Sequence, residues 1–119
     1  MNFPGAAAAP ADARLGPRVP VAWRVRILTM PPHFIEGRTF NISEQGAGLL
    51  QPNSFAQGTV LTAALAVPDM VDRSRIVAVT LQLKVVFNVA AGDLFRLGTQ
   101  IVRISEAEQR LLRAWVQKG

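Results

Sequence analysis

The feature that most constrains the fold is a long alternating segment in the second half of the chain, RIVAVTLQLKVVFNV, at residues 75–89. Side chains of an extended chain project alternately to the two faces of a sheet, so this pattern predicts a β-strand with one buried face. Thr80, Gln82 and Lys84 lie on the polar face. The residues on the apolar face, which we predict to lie in the core, are Val77, Val79, Leu81, Leu83, Val85 and Phe87.

Five further segments have strand patterns, and segments rich in turn-forming residues separate them. The first begins at Val19 and places Trp23 and Ile27 on one face, with Arg24 and Arg26 on the other. Six antiparallel strands in a single domain predict an all-β fold, a closed or nearly closed six-stranded barrel, since closure leaves no exposed strand edges. The five predicted strands besides 75–89 are 19–27, 36–43, 46–50, 59–67 and 94–104.

Both ends of the chain depart from the strand pattern. Ser105 and Glu108 have the spacing of a helix capping box, and apolar residues follow at helical spacing, so we predict a C-terminal α-helix at about 105–117 that plugs or flanks one end of the barrel. Residues 1–18 are rich in alanine, proline and glycine and are predicted to form a flexible N-terminal arm. The barrel and its helix would occupy residues 19–119.

Composition argues against several classes of function. The chain has no cysteine and one histidine, His33, which excludes disulfides and thiolate metal sites and leaves no zinc site. No serine lies in a nucleophile elbow and no paired base accompanies Ser43, so we expect no catalytic residues and no enzyme. No apolar run is long enough to span a bilayer, and the N-terminus lacks the basic start of a signal peptide. We therefore expect a cytoplasmic protein without membrane insertion, metal or cofactor.

The net charge of +5 suits an anionic partner, although codon bias in a GC-rich genome explains the number of arginines at least as well. Lysine and arginine number 13 against 8 acidic residues, and only Lys84 and Lys118 are lysines. Guanidinium groups favour planar acceptors such as phosphate or a guanine edge. Arg14 and Arg18 lie four residues apart around a Gly-Pro pair that disfavours a helix. This pair could converge on one ligand, although a solvated basic tail is the better explanation of the pair taken by itself.

A second polar group lies at the end of the second predicted strand. Asn41 and Ser43 are two residues apart, so in an extended chain they project from the same face. Gly46 follows, and a glycine there allows a positive φ or a close approach of the backbone to another group. Such a group can line a shallow site for a planar hydrogen-bonding ligand. Taken alone, it is also explained by a turn that Asn41 and Ser43 cap.

The two groups together, in this order and on a small barrel, resemble the signature of the PilZ domain family, Arg-x-x-x-Arg followed by Asp/Asn-x-Ser-x-x-Gly. Residues 14–18, RLGPR, and 41–46, NISEQG, match every fixed position, and the segments RVPVAW and LGTQIVRIS and the terminal helix also look like PilZ. The resemblance covers about residues 14–117. It implies a six-stranded barrel with a C-terminal helix and a receptor for cyclic di-GMP.

The resemblance also implies roles for particular residues. Arg14 and Arg18 would grip guanine and phosphate, Asn41 and Ser43 would contact a guanine edge, and Gly46 would keep the approach open. Many members carry a further basic residue directly before the first motif arginine, where this chain has alanine. That departure favours one bound ligand molecule over a stacked pair. We expect ligand capture to order residues 1–18 across the barrel and to create a surface for a protein target.

Two alternatives remain open from the sequence. The first is a protein-interaction module that keeps a PilZ-like barrel without binding nucleotide, which the complete pair of motifs disfavours. The second is a small-barrel nucleic-acid binder, which normally needs exposed aromatic platforms for stacking. The alternation instead assigns Trp23 and Phe87 to the core, so we expect no nucleic-acid partner.

Overall fold

Residues 17–118 are described by the structure, a computed structural model. Their six strands close into an antiparallel barrel in the order β1-β2-β3-β6-β5-β4, and a C-terminal helix follows. The prediction of an all-β, six-stranded antiparallel barrel with a C-terminal helix is confirmed. The elements are β1 (Arg24–Leu28), β2 (Phe34–Ile42), β3 (Gly46–Gln51), β4 (Val60–Pro68), β5 (Ile76–Ala91), β6 (Leu94–Ile104) and α1 (Glu106–Lys118).

The core follows the alternation of the sequence along most of the barrel. In β5, the side chains of Val79, Leu81, Leu83 and Val85 are buried. The polar residues between them project outward, as expected for a sheet with one solvated face. Thr39 and Thr99 are also buried, and each donates its hydroxyl hydrogen to a backbone carbonyl, so both of these hydroxyl groups have partners.

The first strand begins at Arg24 and not at Val19, so it is shorter than predicted. The segment before it is extended but joins the barrel through separate contacts. Val19 forms an isolated antiparallel bridge with Ile42, and the hydroxyl of Thr39 accepts the Trp23 N–H and donates to the Val21 carbonyl. A side chain thus satisfies backbone groups that a regular ladder would otherwise pair. The predicted inward direction of Trp23 is correct, since it is buried in the core.

The core assignment of Phe87 is wrong. The pairing of β5 with β6 shifts between Val85 and Phe87, and this irregularity turns the following side chains to the opposite face. A Cβ atom added at Gly98 would lie 2.0 Å from the ring of Phe87, so the ring lies directly on the outer side of β6. Phe40 of β2 covers Gly48 in the same way, and the two glycines are cross-strand partners.

The helix packs its apolar side into the barrel core. Leu112 and Val116 are buried, and the Trp115 ring meets Trp23 in an edge-to-face arrangement with centroids 5.4 Å apart. Trp115 Nε1 donates to the carbonyl oxygen of Pro68 at 2.9 Å. None of the helical structure within residues 17–118 has the length and apolarity to cross a membrane.

Aspartate side chains within the β4–β5 loop stabilise its conformation, and the loop contacts the helix. Asp69 Oδ1 accepts backbone N–H groups of Val71 at 2.8 Å and Asp72 at 3.0 Å. The bonds from Asp72 and Val71 hold the pKa of the Asp69 carboxyl below its ordinary value, because they stabilise the ionised form. The guanidinium of Arg73 in this loop lies 4.9 Å from the ring centre of Trp115.

Candidate functional site

The two sequence groups meet at Arg18 and Asn41. Arg18 Nη1 donates to Asn41 Oδ1 at 2.9 Å, and Arg18 is half-buried. Two backbone hydrogen bonds between the neighbouring residues Val19 and Ile42, at 2.8 and 2.9 Å, bring the side chains together. The bridge therefore holds Arg18 beside the end of β2. Arg14, the other predicted arginine, lies outside the described residues.

Asn41 lies at an irregularity in the sheet. The pairing of β2 with β3 shifts between Thr39 and Asn41, so that both Phe40 and Asn41 lie opposite Gly48. A bulge of this kind redirects side chains and is common next to binding sites. Here it places the ring of Phe40 over Gly48 and leaves Asn41 within reach of Arg18.

Ser43 is completely buried in the turn between β2 and β3. Its N–H donates to the Gly46 carbonyl at 2.9 Å, and its hydroxyl donates to the same oxygen at a longer 3.4 Å. The hydroxyl also accepts the N–H of Gln45 at 3.3 Å. In this state Ser43 organises the turn, and its predicted contact with a guanine edge stays a prediction.

Gly46 is required for a close approach between strands rather than for positive φ. A Cβ atom at this position would lie 2.1 Å from the carbonyl oxygen of Thr99 on β6, far inside van der Waals contact. The Ile101 N–H donates to the carbonyl oxygen of Gln45 at 2.7 Å, which ties the same turn to β6. Gly46 thus lets the turn sit tightly on the barrel next to Asn41.

The sequence does not indicate one cationic residue near this site, Arg96. The guanidinium of Arg96 on β6 lies 5.0 Å from the ring centre of Phe40, whose chain neighbour is Asn41. A cation over an aromatic face is attracted by the ring quadrupole, so Phe40 holds Arg96 near the bulge. Sequence spacing gives no signal of this, because Arg96 and Phe40 meet only through the pairing of β3 with both β2 and β6.

The turn itself continues into a polar cleft. Glu44 accepts a hydrogen bond from Arg113 Nε of the helix at 3.2 Å, and both side chains are partly exposed. An open cleft of about 420 Å³ lies beside it, lined in part by Gln45, Gln100 and Arg103. Gln45, Gln100 and Arg103 offer hydrogen-bonding groups and one positive charge in this cleft, beside the negative charge of Glu44. No group of three or more acidic or histidine side chains that would suit a metal ion occurs in the described part of the chain.

One comparison with known proteins identifies the family of the chain. The family model named PilZ domain matches residues 12–118. The fold is similar to the Bacillus subtilis inhibitor of motility MotI/DgrA, with a TM-score of 0.74, 16% identity and coverage of 86% of this chain and 48% of that chain. Sequence comparison with curated proteins gives no significant match.

Two further solved structures share the fold. The PilZ domain of YcgR from Escherichia coli, solved with c-di-GMP, matches with a TM-score of 0.60 and 12% identity over 85% of this chain and 86% of that one. MrkH, described as a c-di-GMP-dependent transcription regulatory factor, matches with a TM-score of 0.63 and 13% identity, covering 85% of this chain and 48% of its own. This chain therefore spans about half the length of two of these three structures.

Proposed function

The chain belongs to the PilZ domain family, and from that premise we propose that it is a receptor for cyclic di-GMP. The proposed function is recognition of the dinucleotide and transmission of its presence to a protein partner, with no catalytic step. Cyclic di-GMP carries two guanines and two negative phosphates, so its receptor must supply planar hydrogen-bonding groups and positive charge together.

The observation that carries the proposal is the hydrogen bond between Arg18 and Asn41. It joins the last arginine of the first motif to the first residue of the second. A guanidinium that a neighbour orients loses less freedom when a ligand binds, which lowers the cost of capture. The amide of Asn41 then presents donor and acceptor groups beside the same cation.

The remaining residues have distinct proposed roles. Arg14 would approach the ligand from the N-terminal segment and pair with guanine or phosphate, where one good arginine–guanine contact is worth ~1–3 kcal/mol. Ser43 would support the ligand through the turn that it holds, and would contact a guanine edge directly if its hydroxyl leaves the Gly46 carbonyl. Gly46 would keep the turn flat against β6. Arg96, held over Phe40, would add positive charge at the edge of the site.

The proposed signal is the closure of the N-terminal segment over the ligand. Arg18 already contacts the barrel, so the ordering that we propose concerns the residues before it, with the Val19–Ile42 bridge as the pivot. A ligand gripped by Arg14 and Arg18 together would hold that segment against the barrel, a disorder-to-order transition. The closed segment and the barrel would form the surface that a protein target recognises.

Titration calorimetry of the full chain with cyclic di-GMP tests the function. We expect micromolar binding, which requires about 8 kcal/mol, and much weaker binding of the linear dinucleotide and of GTP. Single-stranded DNA should not displace a labelled cyclic dinucleotide. Equal binding of all guanine nucleotides, or displacement by DNA, would favour the nucleic-acid alternative, and no binding at all would favour an interaction module that has no nucleotide ligand.

A further inference from the structure

An exposed apolar surface lies at the hairpin that joins β1 to β2. We call Leu28, Met30, Phe34 and Val60 the hairpin patch; they are exposed by 51%, 80%, 43% and 54%. Leu28 and Phe34 are direct cross-strand partners, so their side chains lie together on one face. Contiguous apolar surface of this kind commonly marks an interaction site, whereas single exposed apolar residues do not.

A cleft next to the hairpin patch offers a place for an inserted side chain. It has a volume of about 430 Å³ and opens to solvent. Leu28 and Val60 form its strand side, and Pro31, Pro32 and His33 form its hairpin side. Most of this lining is apolar, and prolines lose little conformational freedom when a partner binds. The cleft therefore suits a bulky apolar side chain.

The rim of the hairpin patch is basic. The Arg26 guanidinium lies 4.6 Å from the ring centre of Phe34, and the exposed Lys84 is the cross-strand partner of Val60. Glu36 lies on the same face and pairs with Arg26 at 3.4 Å, but both side chains are more than half exposed, so the pair is weak. Arg24 and Arg38 are cross-strand partners two residues away from the Arg26–Glu36 pair, and they extend the positive charge along β1 and β2.

We propose that the hairpin patch docks a segment of a partner protein in which a bulky apolar side chain is flanked by Asp or Glu. The apolar side chain would enter the cleft, and the acids would meet Arg26 and Lys84. A second copy of this chain fits poorly, because a two-fold contact through this patch would bring the basic rims of two chains with net charge +5 together.

This surface is separate from the proposed nucleotide site. Phe34 begins β2 and Asn41 lies near its end, so seven residues at ~3.3 Å each place them about 23 Å apart. At that separation, a segment docked at the hairpin patch makes no contact with cyclic di-GMP at the proposed site. A failure of one proposal leaves the other intact.

The test uses the full chain and short random peptides displayed on phage, followed by titration of the selected peptides as synthetic probes. We expect selected peptides to combine a large apolar residue with Asp or Glu and to bind more weakly as salt increases. Val60→Asp and Lys84→Glu should each weaken binding by about tenfold or more. The matched control is Val71→Asp in the β4–β5 loop, where Val71 is 95% exposed, and it should leave the affinity unchanged.

Several outcomes would overturn the proposal. They are the absence of any selected peptide, selection of basic peptides, or peptides whose affinity is the same for Val60→Asp and the wild-type chain. Concentration-dependent dimerisation in sedimentation that Val60→Asp abolishes would assign the patch to a second copy instead. A thermal melt accompanies each variant, and Met30→Ser, at an 80% exposed hairpin position, replaces Val60→Asp if that variant does not fold.

Discussion

Arg18 and Asn41 are 23 positions apart in the chain, yet Nη1 of the arginine lies 2.9 Å from Oδ1 of the asparagine. The backbone bridge between Val19 and Ile42 brings these two side chains together, since Val19 directly follows Arg18 and Ile42 directly follows Asn41. One residue of each motif, Arg18 and Asn41, therefore lies in direct contact with the other. Their proposed ligand would meet them as a unit.

The first prediction concerns that unit. Arg18→Ala and Asn41→Ala should each weaken cyclic di-GMP binding by about tenfold, and the double variant should lose less than the product. Residues in direct contact show coupling energies of about 0.5–3 kcal/mol in such cycles. Calorimetric titration of the four proteins measures the coupling. A cycle of Arg18→Ala with Arg110→Ala, on the exposed side of the helix, should be additive; additivity in the Arg18–Asn41 cycle would contradict the shared site.

The second prediction concerns the structural role of Gly46. Gly46→Ala should lower the free energy of unfolding by about 1–3 kcal/mol, because its Cβ would lie 2.1 Å from a backbone oxygen of β6 that cannot simply rotate away. Denaturant unfolding measures this loss. Gly92→Asn is the control, since Gly92 has φ of 64°, which asparagine tolerates, and no atom lies within 4 Å of its Cβ position. Equal stability of Gly46→Ala and the wild-type chain would refute the close approach.

The third prediction tests the outward position of Phe87. Gly98→Ala should destabilise the wild-type chain, because the new methyl group would lie 2.0 Å from the Phe87 ring. In a Phe87→Ala background, the same substitution should be much less harmful, since the ring is gone and alanine is favoured over glycine in a strand. Chemical denaturation of the four proteins gives the coupling. An equal cost of Gly98→Ala in both backgrounds would return Phe87 to the core.

The fourth prediction follows the N-terminal segment. Hydrogen exchange with and without cyclic di-GMP should differ most between residues 10 and 20. Within that range the change should fall on the residues before Arg18, since those amides would gain hydrogen bonds or lose contact with solvent on closure, whereas the Val19 N–H already donates to Ile42. Residues 60–68 of β4 serve as an internal reference that should not change. Unaltered protection between 10 and 20 in the presence of saturating ligand would remove the closure mechanism while leaving binding untouched.

Most of the barrel could be predicted from the sequence, because most of its strands have one buried and one solvated face. Residues 94–104 were predicted as a strand and form β6 with the same bounds. The predicted helix also agrees closely, and the Ser105 hydroxyl accepts the Glu108 N–H at 3.2 Å as a helix cap requires. Alternation and capping are local properties, so a sequence expresses them directly.

The errors arose where pairing between strands overrides alternation. The apolar residues of β5 recur at every second position from Val77 to Phe87, but the shift after Val85 depends on how β6 pairs with this strand. Residues 19–23 alternate like a strand, but β1 begins only at Arg24 because the Thr39 hydroxyl replaces part of their ladder. Arg96 has no local pattern that would associate it with Phe40 or Asn41. The contact between Arg18 and Asn41 likewise requires the folded barrel.

The central claim is that Arg18 helps to bind cyclic di-GMP, and titration of the dinucleotide into the wild-type and Arg18→Ala chains tests it most directly. Arg110→Ala is the charge-matched control. We predict micromolar affinity for the wild-type chain and the control, and a loss of about tenfold or more in Arg18→Ala, ~1.4 kcal/mol, with thermal melts that coincide. The same affinity in Arg18→Ala as in the wild-type chain, or no binding by the wild-type chain, would contradict the account.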